Sequence, residues 1–320
     1  MRHLHLVPNP HATPTLRRLA APVLALGLFV AGCASTGDKP VPGTPEKDPV
    51  RPTLREEAPI GMFLAEADSA IQNWCNLALT ANTPARKNQM RMLEEVLNDR
   101  MSRRCDELVR ELSSGPPINR IRAAAALGFS GKAEAQSPLL AALSDPQPDV
   151  AHNALLGLAV LARADTPLDE ICRRAEFDSD PQTRAQAAFA LRAIVNSGGT
   201  GECARGTARR GLSDTEPFVR SQCALVLGLL ADGESVPALT GMLKDEFAHV
   251  QSAAAEGMLL MVERDATQKG PVGRALVSTW LEARSKDPLK RISMDTLVQI
   301  SDVNYGDDVM LWSEWAKRLP

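Results

Sequence analysis

Between Glu216 and Asp245 the apolar residues return every three or four positions, at Val219, Cys223, Val226, Leu227 and Leu230. That period predicts a helix with one buried stripe. Pro217 suits the first turn, where a missing N–H costs nothing, and Asp232-Gly233 predicts a tight turn before a second helix that ends near Asp245. Neither helix can bury its stripe alone. A pair of this kind calls for copies of itself on either side.

The copies are present. Aligned on the place of Val219, the chain offers anchors at Asn119, Val150, Thr183, Val219, Val250 and Lys290, spaced 31 to 40 residues apart. Two before the anchor stand Pro117, Pro148, Pro181, Pro217 and Pro288, with Ala248 departing; one after stand Arg120, Arg184, Arg220 and Arg291, with Ala151 and Gln251 departing. Four after are Ala123, Ala154, Ala187, Cys223, Ala254 and Met294, and eight after are Leu127, Leu158, Leu191, Leu227, Met258 and Val298. The proline opens the helix, with Asp180 or Asp287 placed to cap it. Small residues let the next helix come close, and the large ones fill the seam between copies. The arginines are expected near loop carboxylates such as Asp180, Glu216 and Asp287, or those of the neighbouring copy, as a register-setting ladder.

In Ile118-Asn119-Arg120-Ile121-Arg122-Ala123-Ala124-Ala125-Ala126-Leu127-Gly128 and in Pro217 to Gly228 the chain resembles HEAT-like repeat proteins, whose pattern is roughly D-P-x-V-R-x-x-A-A-x-A-L-G. The resemblance covers about residues 108–301. It implies an all-α fold, an α-α superhelix of about six helical-hairpin repeats. It says little about function, because the family spans scaffolds, phycobilin-attachment lyases, hydroxylases and DNA glycosylases.

Other stretches divide the chain further. Ile60 to Thr80 predicts a first helix, and Thr83-Pro84 opens a charged one expected to run to about Leu112, stopped by Gly115-Pro116-Pro117, so that 60–114 form N-terminal helices before the repeats of 115–301. Its mixed charges predict a solvated face rather than a basic patch. In the tail, 302–320, Trp312 and Trp315 share a face of a short helix after Asp307 or Asp308, expected to cap the open end of the array, the alternative being a Trp pair for ligand stacking.

Ahead of the helices, Arg17-Arg18, an apolar run from Ala20 to Val30 and then Val30-Ala31-Gly32-Cys33 follow in order. The run is too short to span a bilayer as a mature helix. V-A-G-C resembles the lipobox of bacterial lipoproteins, which implies a signal peptide over 1–32, cleavage before Cys33 and lipidation of that residue; Ala34 then implies release to the outer membrane, facing the periplasm. The alternative is an ordinary secretory signal with a chance Cys. Residues 33–59 carry the lipidated Cys and a tether with Pro40, Pro42, Pro45, Pro49, Pro52 and Pro59, able to reach roughly 80 Å when extended.

Composition narrows the function classes. Aromatic residues are 4% of the chain, so Ala and Leu must do the packing. The 36 basic and 39 acidic side chains give a net charge of −3, and removing 1–32 takes away Arg2, Arg17 and Arg18 but no acid. Nucleic acid is therefore not an expected partner.

Recognisable catalytic motifs are missing: there is no G-x-S-x-G and no P-loop, and beyond the signal only His152 and His249 remain, at different repeat positions. No metal, cofactor or enzymatic activity is expected. Cys223 reads as a small core residue, whereas Cys172 with Cys203 and Cys75 with Cys105 lie on neighbouring helices and could form disulfides in an oxidising compartment.

One column is apolar where a polar residue is expected. Leu156, Phe189 and Leu225 stand six after their anchors, flanked by Asn153, Gln186 and Gln222 three after. Either they form an apolar groove edged by amides that accepts a peptide or helix, or the curvature of the array buries them. The expected function is a lipid-anchored, non-catalytic scaffold that binds a protein or peptide in the bacterial envelope and touches the membrane through its lipid alone. Alternatives are a HEAT-like lyase-type enzyme and a self-associating structural envelope component.

Overall fold

The structure is a computed structural model that describes residues 58–80, 83–283, 288–301 and 303–320. The signal peptide, Cys33, the tether and Asp287 lie outside the described residues. Fifteen α-helices are present among those described: α1 (Ile60–Thr80), α2 (Pro84–Arg103), α3 (Cys105–Ser114), α4 (Pro117–Gly128), α5 (Gln136–Ala142), α6 (Pro148–Leu161), α7 (Asp169–Phe177), α8 (Pro181–Asn196), α9 (Glu202–Gly211), α10 (Pro217–Leu229), α11 (Val236–Met242), α12 (Ala248–Arg264), α13 (Lys269–Glu282), α14 (Pro288–Ile300) and α15 (Val309–Arg318).

Two layers result. The helices α4, α6, α8, α10, α12 and α14 pack side by side in chain order, with the α4–α6 and α10–α12 contacts the most extensive; on the other layer α3 meets α5, α7 meets α9 and α11 meets α13. Each helix of the first layer except α12 opens on proline. The Asp180 carboxylate accepts from the backbone N–H groups of Gln182 and Thr183, and Glu216 accepts from that of Phe218. Between the layers the core is mostly Ala and Leu, with Ala123, Ala154, Ala187, Cys223 and Ala254 all buried in the small-residue column.

Two expectations on local structure are corrected. The charged helix does not run from Pro84 to Leu112: it breaks at Arg104, where φ is −113° and ψ 20°. Arg104 leaves the helical path to pair with Glu107, donate to the Ala58 carbonyl at 3.0 Å and lie 4.4 Å from the Phe63 ring centroid. The break lets α3 aim Cys105, Leu108 and Leu112 into the core while α2 keeps its polar face outward. In the second case, the turn after α10 reverses at Ala231, whose φ is +49°, rather than at Gly233, which opens a short 3₁₀ turn. A left-handed alanine stores some strain, and Asp232, buried and held by Arg209, stands beside it.

At the C-terminal end Trp312 is fully buried, its Nε1 donating to the Gly306 carbonyl at 3.0 Å, with Tyr305 and Trp315 edge-on at 5.0 and 5.5 Å. No free ring face is left on Trp312 for stacking. Gly273 of α13 admits the Trp315 ring, since a Cβ there would stand 2.8 Å from it. Among the described residues no helix is long and apolar enough to cross a membrane.

Candidate functional site

In the α6 repeat the residue three after the anchor faces the preceding helix of the layer. Asn153 on α6 shows this directly, donating from Nδ2 to the Ile121 carbonyl on α4 at 2.9 Å. Two residues nine after their anchors, both glycines, face the following helix. There Gly128 on α4 meets Gly157 on α6, and Gly228 on α10 meets Gly257 on α12. With no side chain on either partner the backbones close: a Cβ on Gly128 would stand 2.6 Å from the Gly157 Cα, and one on Gly228 2.7 Å from the Gly257 Cα.

That closeness corrects the groove reading. Leu156 and Leu225 are 9% and 6% exposed, so both belong to the seams between helices and the apolar stripe is not an open groove. Only Phe189 remains half-buried. Gln186 and Gln222 are also buried, yet the Gln186 Nε2 and the Gln222 Oε1 are enclosed without a hydrogen-bond partner. An enclosed amide atom left unpaired costs about 1–3 kcal/mol.

On α8 the place held by Gly128 and Gly228 is taken by Arg192, which the sequence reading passed over. Its Nε is enclosed without a partner, and its Cζ lies 5.2 Å from the Phe189 ring centroid. Burial pulls the guanidinium below its ordinary pKa, opposed by the charge of Glu256 on α12. Burial pushes Glu256 up, while Arg192 pulls it down and Glu263 raises it. The two charges feel each other from opposite sides of α10 but make no ion pair. The available signal was a single charged residue in a column that otherwise reads Gly128, Ala159, Gly228, Leu259 and Gln299.

A second set of arginines is fully used. Arg120 grips Asp145, Arg184 grips Asp214 and Arg220 grips Asp245, each bidentate with contacts of 2.8–3.1 Å. Each guanidinium also donates to a carbonyl of its own entry loop, at Gly115, Asp178 and Asp214. The ladder therefore runs to the aspartate of the following repeat, not to Asp180 or Glu216. Burial alone would raise these three aspartates; hydrogen bonds from the arginines and from a backbone N–H hold all three below their ordinary pKa. Where Ala151 breaks the column, Arg174 supplies the bond to Asp178 at 3.1 Å.

Of the cysteines, Cys172 on α7 and Cys203 on α9 are joined, with Cα atoms 6.1 Å apart. Cys75 and Cys105 are not paired: both are free and buried on α1 and α3, and burial pushes the Cys75 thiol up to about 11. His152 and His249 stand on α6 and α12, both lowered chiefly by burial. Among the described residues no group of three or more His, Cys, Asp or Glu side chains is arranged to hold a metal ion.

The family model for HEAT repeats matches residues 105–192 and 168–259. The array is a HEAT-like solenoid. No curated protein matches the chain. Among solved structures, a crystal structure of an engineered protein aligns over 61% of this chain and 95% of its own at 18% identity and a TM-score of 0.43. A chain of the complex of CpcE and CpcF of phycocyanin lyase from Nostoc sp. PCC7120 aligns over 90% of this chain and 100% of its own, at 17% identity and a TM-score of 0.39.

Proposed function

We propose that this HEAT-like solenoid is a non-catalytic scaffold that holds a protein partner at the bacterial envelope, exported and anchored to the outer membrane through a lipid on Cys33. The observation that carries the binding reading is the set of unpaired polar atoms on two adjacent helices, Gln186 Nε2 and Arg192 Nε on α8 and Gln222 Oε1 on α10, with Arg192 beside the half-buried Phe189. Each is costly alone, and turning outward onto a partner offsets the cost. Export is supported from two directions. The order Arg17-Arg18, apolar run and V-A-G-C resembles a lipoprotein signal, and the Cys172–Cys203 bond suits an oxidising compartment.

A photo-reactive side chain placed at Phe189 in the native envelope tests the scaffold, with one at the exposed Phe177 of α7 as control. A single protein crosslinked from position 189 and not from 177 is expected. No crosslink, or equal labelling from both sites, would sink the reading. Cells fed a labelled fatty acid should lipidate the wild type and not Cys33→Ala; an unlabelled wild type removes the anchor.

A further inference from the structure

The chemistry of the partner can be read from Arg192, on the footing of the scaffold reading above. In two other seams of the array its place is held by glycine, Gly128 against Gly157 and Gly228 against Gly257, and the backbones come close together. Between α8 and α10 a guanidinium on a long stem stands there instead. Its Nε is enclosed, its Nη groups are not among the enclosed unpartnered atoms, and among the described residues it makes no hydrogen bond or ion pair. The stem thus enters the layer while the fork remains open to what lies outside it.

A guanidinium stays charged under any physiological condition. For packing alone an apolar side chain of the same length would fill the seam without a buried donor to satisfy, and such replacements are commonly neutral or stabilising. The three arginines of the ladder are each matched bidentately by an aspartate of the chain, whereas Arg192 is a fork without a carboxylate. Glu256, the acid whose field reaches it, stays outside contact distance. Phe189 beside the fork gives an apolar contact, and Gln186 stands one turn before Phe189 on the same helix.

We propose that Arg192 is the recognition point for an aspartate or glutamate of the partner, taken end-on by its two Nη groups with an apolar neighbour of that acid against Phe189. The fork geometry matches a carboxylate and no neutral group equally well. The chain as a whole is negative, at −3, so long-range electrostatics work against an acidic ligand and a preference for one requires a local site.

The probe is a panel of short capped peptides that differ at one position, Asp, Glu, Asn, Gln or Lys, next to Leu or Phe. Their binding to the purified full chain is read by fluorescence anisotropy. The acidic members should bind about tenfold tighter than their amides, the scale of a hydrogen bond to a charged group. Arg192→Met should erase that preference with its melting curve unchanged, and Glu256→Gln, which removes the competing acid, should raise affinity for acidic members severalfold. A preference that survives Arg192→Met, or none in the wild type, overturns the proposal. If wild type and Arg192→Met bind neutral peptides alike, the carboxylate fails and the scaffold stands; if the wild type binds no peptide, both fall. Should Arg192→Met unfold, an affinity for acidic peptides unmoved by Glu256→Gln overturns it. Self-association that Arg192→Met abolishes would put a second copy in place of the peptide and refute this form.

Discussion

The seam between α10 and α12 and the seam between α8 and α10 belong to the same array, share α10 and are built on different principles. In the first, Gly228 and Gly257 remove every side-chain atom from the crossing, and the backbones approach until a Cβ has no room. In the second, Arg192 holds the place of the glycine and leaves its Nε enclosed and unpaired. The same repeat position thus serves cohesion at one step of the solenoid and exposes unmet chemistry at the next. A repeat fold permits this because each hairpin contacts only its neighbours, so one seam can give up some stability without loosening the rest.

The comparison can be broken at its stable end first. Gly228→Val drives two methyls into the Gly257 backbone, and about 3 kcal/mol or more should be lost, read as a fall of several degrees in melting temperature. A variant that melts with the wild type would mean the glycine seam is not close-packed. A smaller effect belongs to the ladder that both seams share. Asp145, Asp214 and Asp245 are held below their ordinary pKa, so their contribution is complete above the ordinary aspartate value of about 4 and is lost as the pH falls through the lowered values. Melting temperature should therefore drop in acid below about pH 4, and replacing all three by asparagine should flatten that drop. An acid slope unaltered in the triple variant removes the ladder as its source. Smallest is Arg192→Met, expected to change stability by no more than about 1 kcal/mol in either direction, in contrast to its effect on acidic peptides. A loss as large as that of Gly228→Val would make Arg192 a packing residue and erase the distinction.

Much of the fold was legible because it repeats. Pro117, Pro148, Pro181 and Pro217 announce helix starts through a local property, the missing N–H, which needs no knowledge of the neighbours. The small-residue column was equally readable, since Ala123 to Ala254 recur at fixed places and all are buried. What failed did so where partners at a distance decide. Arg104 breaks a helix of good formers because Glu107, Ala58 and Phe63 draw it off the axis. Leu156 and Leu225 looked like a ligand-facing stripe because the column they occupy is often polar, and only the distance between helices places them inside. The arginine column was visible, but its partners in the following repeat were fixed by the path of the loops. Cys75 and Cys105 were expected on consecutive helices, but the break at Arg104 puts Cys105 on α3, two helices on from Cys75, and they are not joined, whereas Cys172 and Cys203 are bonded.

The sequence by itself determined that this chain is helical, repeated and built on small residues, because those properties follow from period, proline placement and side-chain volume. The hairpin from Glu216 to Asp245 contains the whole rule. Tertiary structure alone decided which columns close and which remain unsatisfied. Gly228 and Arg192 occupy the same place in the repeat, and their difference has meaning only once the next helix is set against each: a backbone for the one, an unfilled bond for the other.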